Sequence, residues 1–585
     1  MFCLNCCAPN RSVSRFGNLS KKGGNQVLIR ELIKRGKKVC FVLTVALLIG
    51  VLAAVALTFA SQSATQSFKP EEYIIRTTED WPTYIDPAVG NDFSDSISLV
   101  NLYDSLVFPT PQGEVKPSLA EKWEVSEDNL TFTFTLRQGV KFHNGDELTA
   151  EDVEFSIKRL ITIGEGFAYI FSPYVQDCKS IEKYKVAITL KKPFGPFISA
   201  LPRFYILNKR AVMEHLEKPG PYGDFGDYGK KWLLTNDAGS GPYKVKEMKM
   251  EEYLLAEKFN EYWGGWDPNA PKFFKLSATT EPATEYALFG KRELEITCEL
   301  LPLETYQSIA KLDGADVVAF LNGNNFNIML HTKKPPTDDI HFRKALAYCF
   351  DYEPVVSKIY PGSIQGKGPV PSVIPGHDPN VYQYHRDLEK AKEELAQSKY
   401  ADKLDQYPVT LSWCAEAPEE EKIALLFQAN AAELGIKVEI TKKPFGSMEA
   451  DAINPETTPN ASLIFVASHY AEAGAMLTSR YHSASCGSWE QCEWLQDPEI
   501  DRMIEEALGT YDQQERFQKY YAIQEKIVDL CPTIWVFDQA ERRAYQSVYV
   551  YWPAGEAAKL SKVYVPIMGY GMYAHDMKVW PEKRE

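Results

Sequence analysis

Long apolar runs, histidines and metal-binding cysteine patterns are scarce in this sequence. After residue 60 no second apolar run is long enough to cross a bilayer, so residues 70–585 are expected to form a water-soluble body. The 585 residues include only nine histidines, and these form no tight cluster. Cys3, Cys6 and Cys7 lie close together but lack a second pair at zinc-binding spacing. The sequence therefore predicts no metal site and no cofactor.

Common catalytic signatures are also missing. The patterns HExxH, GxSxG and GxxxxGK[ST] do not occur, and the stretch GSIQGKG at 362–368 resembles a phosphate loop only in composition. No pair of carboxylates stands out in a catalytic context among the 79 acidic residues. His143 lies in the turn sequence His-Asn-Gly-Asp and is interpreted as a structural residue rather than a general base. The chain is not expected to be an enzyme.

Charge is divided unevenly between the amino-terminal segment and the rest of the chain. Residues 1–69 carry ten lysines and arginines against a single acidic residue, Glu31, whereas residues 70–585 carry 54 basic and 78 acidic residues. A strongly acidic body argues against a nucleic acid partner, because phosphates would be repelled.

The apolar run from Val39 to Ala60 explains the basic amino terminus. It is 22 residues long, carries no charge and follows the basic segment 1–38. This pattern predicts either an export signal or an uncleaved transmembrane anchor with its basic end in the cytoplasm. No cysteine occurs between Cys40 and Cys178, which argues against a lipoprotein. The body is therefore expected outside the cytoplasmic membrane.

Strand and helix patterns alternate along the body. In the segment 129–160, apolar and threonine residues alternate as in a half-buried strand, and Thr149 with Asp152 is typical of a helix start. The segment 407–443 contains a strand pattern, a helix pattern and a second strand pattern. This order predicts a βαβ unit with parallel strands. The fold class is therefore predicted to be α/β with mixed sheets.

Several sequence blocks resemble the family 5 extracellular solute-binding proteins, which serve ABC importers of peptides and nickel. The blocks are Asn101–Val107, Pro117–Leu160, Gly239–Val245 and Asn327–Val356, in the order found in that family. The resemblance covers about Glu71 to Trp552. It departs from the family in the last block, where Tyr352 replaces the usual arginine.

The resemblance implies the two-lobed fold of periplasmic binding proteins, of the large type (cluster C) with an extra inserted domain. It implies high-affinity capture of a solute between the lobes and delivery to an ABC permease in the cytoplasmic membrane. We expect lobe I to combine 70–95, 236–330 and 546–585, lobe II to span 331–545, and the extra domain to span 96–235. A monomer is expected.

The ligand is less well defined by the resemblance. Peptide-binding members carry a tryptophan and an aspartate that holds the peptide's ammonium group, and Val466 and His469 stand at these positions here. Either Glu472 or another acid replaces this clamp, or the ligand is an oligosaccharide held by aromatic and neutral groups. The candidate ligand contacts are Asn327, Trp413, His469, Tyr470 and Glu472. The alternative interpretation is that Trp413 belongs to the core of a strand and that His469 is a surface loop residue.

Two other functional classes remain open at this point. A membrane-tethered sensor or chaperone-like binding protein would use the same fold without a permease, and an extracellular hydrolase would turn over its ligand. Cys486 and Cys492, in the stretch CGSWEQC, are close enough in sequence to form a disulfide in an oxidising compartment. The sequence does not fix this pairing.

Overall fold

The computed structural model describes residues 73–79, 81–279 and 281–584. The basic segment 1–38 with its three cysteines and the predicted signal or anchor 39–60 lie outside the described residues. Within the described ranges, no helix is long and apolar enough to cross a membrane.

Eighteen strands occur in the described residues, and most of them belong to three sheets. In chain order the strands are β1 (Ile74–Glu79), β2 (Val107–Pro109), β3 (Val115–Pro117), β4 (Ala120–Val125), β5 (Thr131–Leu136), β6 (Val175–Glu182), β7 (Lys185–Leu190), β8 (Tyr243–Lys249), β9 (Tyr253–Lys258), β10 (Phe273–Ala278), β11 (Ala315–Leu330), β12 (Ile364–Gln365), β13 (Val409–Cys414), β14 (Val438–Lys443), β15 (Ala461–Ala467), β16 (Thr533–Gln546), β17 (Val550–Tyr551) and β18 (Lys578–Val579).

Helices connect most of these strands and cover the sheets. In chain order the α-helices of the described residues are α1 (Phe93–Leu102), α2 (Ala150–Ile163), α3 (Ala168–Phe171), α4 (Phe197–Ala200), α5 (Lys209–Glu214), α6 (Pro282–Gly290), α7 (Leu303–Ile309), α8 (Ile340–Cys349), α9 (Leu388–Gln397), α10 (Glu420–Glu433), α11 (Phe445–Ala452), α12 (Ala473–Tyr481), α13 (Pro498–Leu508), α14 (Gln513–Leu530) and α15 (Pro553–Lys559). The predicted α/β class is confirmed.

The segment 129–160 folds as its pattern predicts. β5 buries every second side chain, and these are the apolar ones. The backbone N–H of Thr149, the N-cap of α2, donates to Asp152 Oδ2 at 2.9 Å and completes a capping box. The helix ends at Gly164, whose φ of 75° lies in the left-handed region that favours glycine. Local chemistry therefore defines both ends of this helix.

His143 has a structural environment. One ring nitrogen contacts the carboxylate of Asp237, and Nε2 lies 2.9 Å from the carbonyl oxygen of Gly241. These contacts tie the turn at 143–146 to the joint that leads into β8.

Each of the three sheets organises one part of the protein. The strand order β1-β10-β9-β8 defines the part that we call lobe I, and the order β12-β16-β11-β15-β13-β14 defines lobe II. The antiparallel sheet β4-β5-β7-β6 belongs to the extra domain. Strands β13 and β14 are parallel and are joined through α10, so the predicted βαβ unit is confirmed.

Strands β11 and β16 are the longest in the described residues, and they pair with each other in antiparallel register. Their register breaks between Leu321 and Asn325, where Gly323 has a φ of 84°. One end of the pair contacts lobe I through a bridge between Ile296 and Tyr545, and the other end lies inside the sheet of lobe II. The register break is therefore the natural position for a hinge.

The predicted boundaries at 330/331 and 545/546 assign β11 to lobe I and β16 to lobe II. Because these two strands form one ladder, we propose that both lobes share them and that the division falls at the break in register. The other predicted boundaries stay predictions.

Asp538 on β16 is a buried carboxylate with few partners. Its Oδ2 accepts a hydrogen bond from the Ser372 N–H at 2.8 Å, and its Oδ1 has no hydrogen-bond partner within the described part of the chain. Burial raises the pKa of Asp538 from 3.8 to about 6, against the opposing effect of the Ser372 N–H. Between these two values the unfolded chain has already lost its proton while the folded protein keeps it, so the free energy of unfolding falls as the pH rises.

We expect Asp538→Asn to raise the free energy of unfolding at pH 7 by about 1–3 kcal/mol. The upper bound is the free energy that corresponds to the rise in the pKa of Asp538 from 3.8 to about 6. At pH 4 the gain should fall below about 1 kcal/mol, because the unfolded carboxyl, with a pKa of 3.8, is then only about half ionised while the folded one keeps its proton. Urea unfolding at both pH values measures the difference. Asp529→Asn serves as the control, since that side chain is exposed. Equal stabilisation of Asp538→Asn at both pH values would contradict the prediction.

Candidate ligand-binding cleft

A cavity of about 290 Å³ lies between lobe I and lobe II, beside the register break in β11. Lobe I contributes residues 91–94, residues 299–300 and Met568 to its wall, and the shared strands contribute Asn324 and Gln539. Lobe II contributes the end of β13, the start of α10, part of β15 and the first residue of α11. Because its walls come from both lobes, the cavity would open and close with a hinge motion.

Glu420 is brought to the cavity by the βαβ unit of lobe II. β13 ends at Cys414 and α10 begins at Glu420. Ligands of α/β proteins commonly bind at the carboxyl ends of parallel strands. The N–H of Cys414 donates to Glu420 Oε2 at 2.7 Å, and the Glu420 side chain is only 1% exposed. The positive end of the α10 dipole also favours an acid here.

Within the described residues, no lysine or arginine forms an ion pair with Glu420, and its Oε1 accepts no hydrogen bond. Burial raises the pKa of Glu420 well above its ordinary value, the Cys414 N–H opposes this, and the nearby Glu416 carboxylate adds to it. A buried carboxylate with one N–H as its partner is unfavourable in the empty site. A ligand cation would supply the missing counter-charge.

Glu416 lies four residues before Glu420 and is exposed at the mouth of the cavity. Its Oε2 accepts a hydrogen bond from the Phe445 N–H at 3.0 Å and one from the Cys414 thiol at 3.1 Å. These contacts hold the Glu416 carboxylate close to that of Glu420, and neither of the two donors carries a positive charge.

The rest of the wall is mostly apolar. The ring of Phe445 meets the ring of Trp489 edge to face, with centroids 5.4 Å apart. Phe465 lines the cavity from the same lobe. Leu300 and Met568 face the cavity from lobe I. An apolar wall with a few polar groups is the usual composition of a small-molecule site.

A buried charge cluster supports the lobe I side of the cavity. Arg543 on β16 donates to Glu79 Oε2 (2.8 Å), Glu299 Oε2 (2.6 Å), Glu541 Oε1 (2.5 Å) and the carbonyl oxygen of Thr297 (2.8 Å). Burial raises the pKa of Glu79 well above its ordinary value, Arg543 opposes this, and Glu299 adds to it. One arginine therefore serves three carboxylates, and one of them, Glu299, also lines the cavity.

Of the predicted ligand contacts, His469 is the one that the structure places in the cavity wall. Its Nδ1 contacts the Tyr169 hydroxyl, and its Nε2 lies 3.3 Å from Glu490 Oε1. Its carbonyl oxygen accepts a hydrogen bond from Arg203 Nε at 2.6 Å. Burial lowers the pKa of His469, against the opposing effect of Glu490. His469 therefore also connects lobe II to the extra domain.

Three other predicted contacts lie outside the cavity wall. Asn327 is fully buried and donates to Asn325 Oδ1 at 2.8 Å. Trp413 is 3% exposed and belongs to the core of lobe II, as its alternative interpretation predicts. Tyr470 lines a separate small pocket of about 20 Å³ and meets Phe194 edge to face. Their placement gives no support to direct ligand contact.

Glu472 is also buried away from the cavity, and it has a cation of its own. Arg516 Nε and Nη2 donate to the two Glu472 oxygens at 2.7 Å and 2.8 Å, and the Tyr520 hydroxyl donates to Oε1 at 2.8 Å. With both oxygens bound by the protein, Glu472 is not available to replace the ammonium clamp.

The disulfide that the sequence allows is not present in the structure, where Cys486 and Cys492 are free thiols. The Cys486 thiol donates to Gln491 Oε1 at 2.7 Å, and the Cys492 thiol lies 3.4 Å from the carbonyl oxygen of Trp489. Separate hydrogen bonds hold the two sulfurs, so a disulfide would require both to be given up.

Sequence reasoning missed Glu416, Glu420, Phe445 and Trp489. A signal was present for the first two, because the acid-rich stretch 416–421 directly follows a predicted strand of a βαβ unit. The carboxyl end of such a strand is a common position for ligand contacts.

The fold and the cavity define a class: two lobes joined by long paired strands, with a site between them, are the architecture of a solute-binding protein of the periplasmic type. The chain belongs to the bacterial extracellular solute-binding proteins of family 5, whose sequence profile matches residues 114–485. Proteins of this family are the binding components of ABC importers. The sequence profile confirms the predicted family, and the similarity to solved structures confirms the predicted fold.

Relatives with different named ligands match most of the chain. The "Probable D,D-dipeptide-binding periplasmic protein" of Escherichia coli is 27% identical over 470 residues, which covers 78% of this chain and 87% of that protein. "Heme-binding protein A" of Haemophilus influenzae is 26% identical over 470 residues, covering 75% and 82%. A Helicobacter pylori periplasmic binding protein in complex with the peptide STSA superposes with a TM-score of 0.74 at 21% identity, covering 86% and 98%.

Proposed function

We propose that this protein captures a short peptide in the interlobe cavity and delivers it to an ABC permease in the cytoplasmic membrane. The ligand is bound and released without chemical conversion. The body acts outside that membrane, exported or anchored by the segment 39–60. The observation that carries the proposal is the buried Glu420 carboxylate, which lines the cavity and has no cation among the described residues.

A free amino terminus is the ligand group that fits Glu420. An ammonium in contact with this carboxylate would remove the cost of its burial and would donate a second hydrogen bond to Glu416. Glu420 therefore takes the role that Glu472 had in the sequence-based hypothesis. A neutral oligosaccharide would leave the charge of Glu420 uncompensated, so the peptide alternative is now favoured.

The size of the cavity favours a dipeptide over longer peptides. At about 290 Å³ it lies at the lower end of the range of small-molecule sites, which is roughly 300–1,000 Å³. The edge-to-face pair of Phe445 and Trp489 offers an apolar surface for one side chain of such a ligand. The dipeptide-binding name of one relative agrees with this size.

Nickel is less well supported as a ligand. One histidine, His469, lines the cavity, and within the described residues no group of three potential metal ligands lies together. A tethered sensor without a permease is the remaining alternative, and uptake assays distinguish it from an importer component.

Calorimetric titration of the full chain, purified in mild detergent and freed of bound ligand, tests the proposal. The panel contains dipeptide derivatives with a free amino terminus, the same compounds with an acetylated amino terminus, and oligosaccharides of similar volume. We expect binding only of compounds with a free amino terminus, and we expect acetylation to weaken it by about 100-fold, because the ammonium contact is lost. Binding of sugars but not of peptides would show the proposal to be wrong.

A further inference from the structure

Negative charge dominates the cavity wall. Twenty residues line it, and they include four carboxylates, Asp92, Glu299, Glu416 and Glu420, and no lysine or arginine. An ordinary dipeptide carries one ammonium and one carboxylate about two residues apart. In a cavity of about 290 Å³ both termini lie inside, so its carboxylate has to be accommodated as well.

Two arginines that contact residues of the wall are already bound by other groups. Arg203 donates to the carbonyl oxygens of two lining residues, His469 at 2.6 Å and Met568 at 2.9 Å. Arg543 donates to three carboxylates and one carbonyl. His469 is the remaining basic residue of the wall, and both of its ring nitrogens contact protein groups.

We infer that the site selects short peptides with a net positive charge, in which the carboxyl terminus is blocked as an amide or balanced by a basic side chain. The inference rests on the proposed function, since it assumes that the amino terminus lies at Glu420. A free ligand carboxylate would enter a mostly apolar cavity whose wall holds Glu416 and no lysine or arginine, while Glu299 already pairs with Arg543. Like charges a few ångströms apart in such a site repel strongly.

Matched dipeptides test the inference. The full chain is titrated with Ala-Phe, Ala-Phe amide, Ala-Lys and N-acetyl-Ala-Phe amide. We expect Ala-Phe amide to bind at least tenfold more tightly than Ala-Phe, because amidation removes the unpaired carboxylate. Ala-Lys should bind between the two, since its side-chain ammonium balances its carboxylate.

The four compounds separate failure of the inference from failure of the proposed function. Equal or tighter binding of Ala-Phe than of its amide overturns the inference and leaves the ammonium site at Glu420 intact. Equal binding of the acetylated amide and the free-amine amide shows that no ammonium is bound, which overturns the proposed function. Absence of binding by every compound overturns both.

A variant at the mouth of the cavity tests whether the wall carboxylates cause the preference. Glu416→Gln removes one negative charge from an exposed side chain, and we expect the acid-to-amide ratio of Kd to fall about threefold. Glu421→Gln is the matched control, because Glu421 is exposed on α10 and does not line the cavity. An unchanged ratio in Glu416→Gln would overturn the role of the wall carboxylates.

Discussion

Replacing Glu420 with glutamine is expected to weaken binding of a dipeptide amide by about 100-fold. The carboxylate is buried, lines the cavity and has no protein cation among the described residues, so the ligand ammonium is its counter-charge. Loss of one partner of a buried charge pair costs about 3 kcal/mol or more of binding free energy, most of it in the dissociation rate. Calorimetry and stopped-flow fluorescence measure the two quantities.

The same substitution should stabilise the ligand-free protein. Glutamine keeps an oxygen that accepts the hydrogen bond from Cys414, but it has no proton to lose and so avoids the cost of burying a titratable carboxyl group. We expect the free energy of unfolding at pH 7 to rise by about 1–2 kcal/mol. Because the folded-state pKa of Glu420 is raised, this gain should grow as the pH rises above the pKa of an unfolded glutamate and vanish below it.

Glu472→Gln is the matched control. Glu472 and Glu420 are both 1% exposed, but Glu472 has Arg516 as its cation and lies outside the cavity wall. Removing its charge leaves the buried Arg516 without its counter-charge, so the protein should lose stability by about 3 kcal/mol while Kd stays within about threefold of the wild-type value. If both variants lose stability, or if neither changes Kd, Glu420 is a structural carboxylate and not the ligand counter-charge.

The sequence was most informative where local chemistry decides the structure. The capping box of Thr149 and Asp152 and the parallel βαβ unit at 407–443 were both predicted, because they depend on residues close together in the chain. The family also followed from blocks of local sequence in a defined order. The two lobes and the hinge were expected from the family. The predicted lobe boundaries, however, assigned β11 and β16 to different lobes, whereas the structure pairs them in one ladder.

The site could not be predicted to the same extent, because it depends on contacts between distant residues. Trp413 and Cys414 are neighbours on β13, yet Cys414 lines the cavity and Trp413 lies in the core, since successive side chains of a strand point to opposite faces. Glu472 was a reasonable candidate until Arg516, 44 residues further along, was found to bind it. Counter-charges across such separations leave no local pattern in the sequence.

Replacing Arg543 with methionine is expected to destabilise the protein by about 3–5 kcal/mol at pH 7.5, because three carboxylates, the buried Glu79 and Glu541 and the partly buried Glu299, lose their common cation. Freed of the arginine, these groups should bind protons more readily, so the loss should shrink at pH 5. Urea unfolding at the two pH values measures it. Arg76→Met is the control, since Glu295 keeps Arg584 at 2.8 Å, and a loss below about 2 kcal/mol is expected there.

Arg543 also connects stability to ligand binding, because Glu299 belongs both to its cluster and to the cavity wall. In Arg543→Met the charge of Glu299 is no longer balanced by the protein, and a cationic ligand becomes the nearest source of compensation. A saturating dipeptide amide should therefore raise the unfolding midpoint of the variant by more than it raises that of the wild type. An equal rise in both proteins would mean that Glu299 acts only within the charge cluster of Arg543, and that Glu416 and Glu420 alone set the charge that the ligand meets.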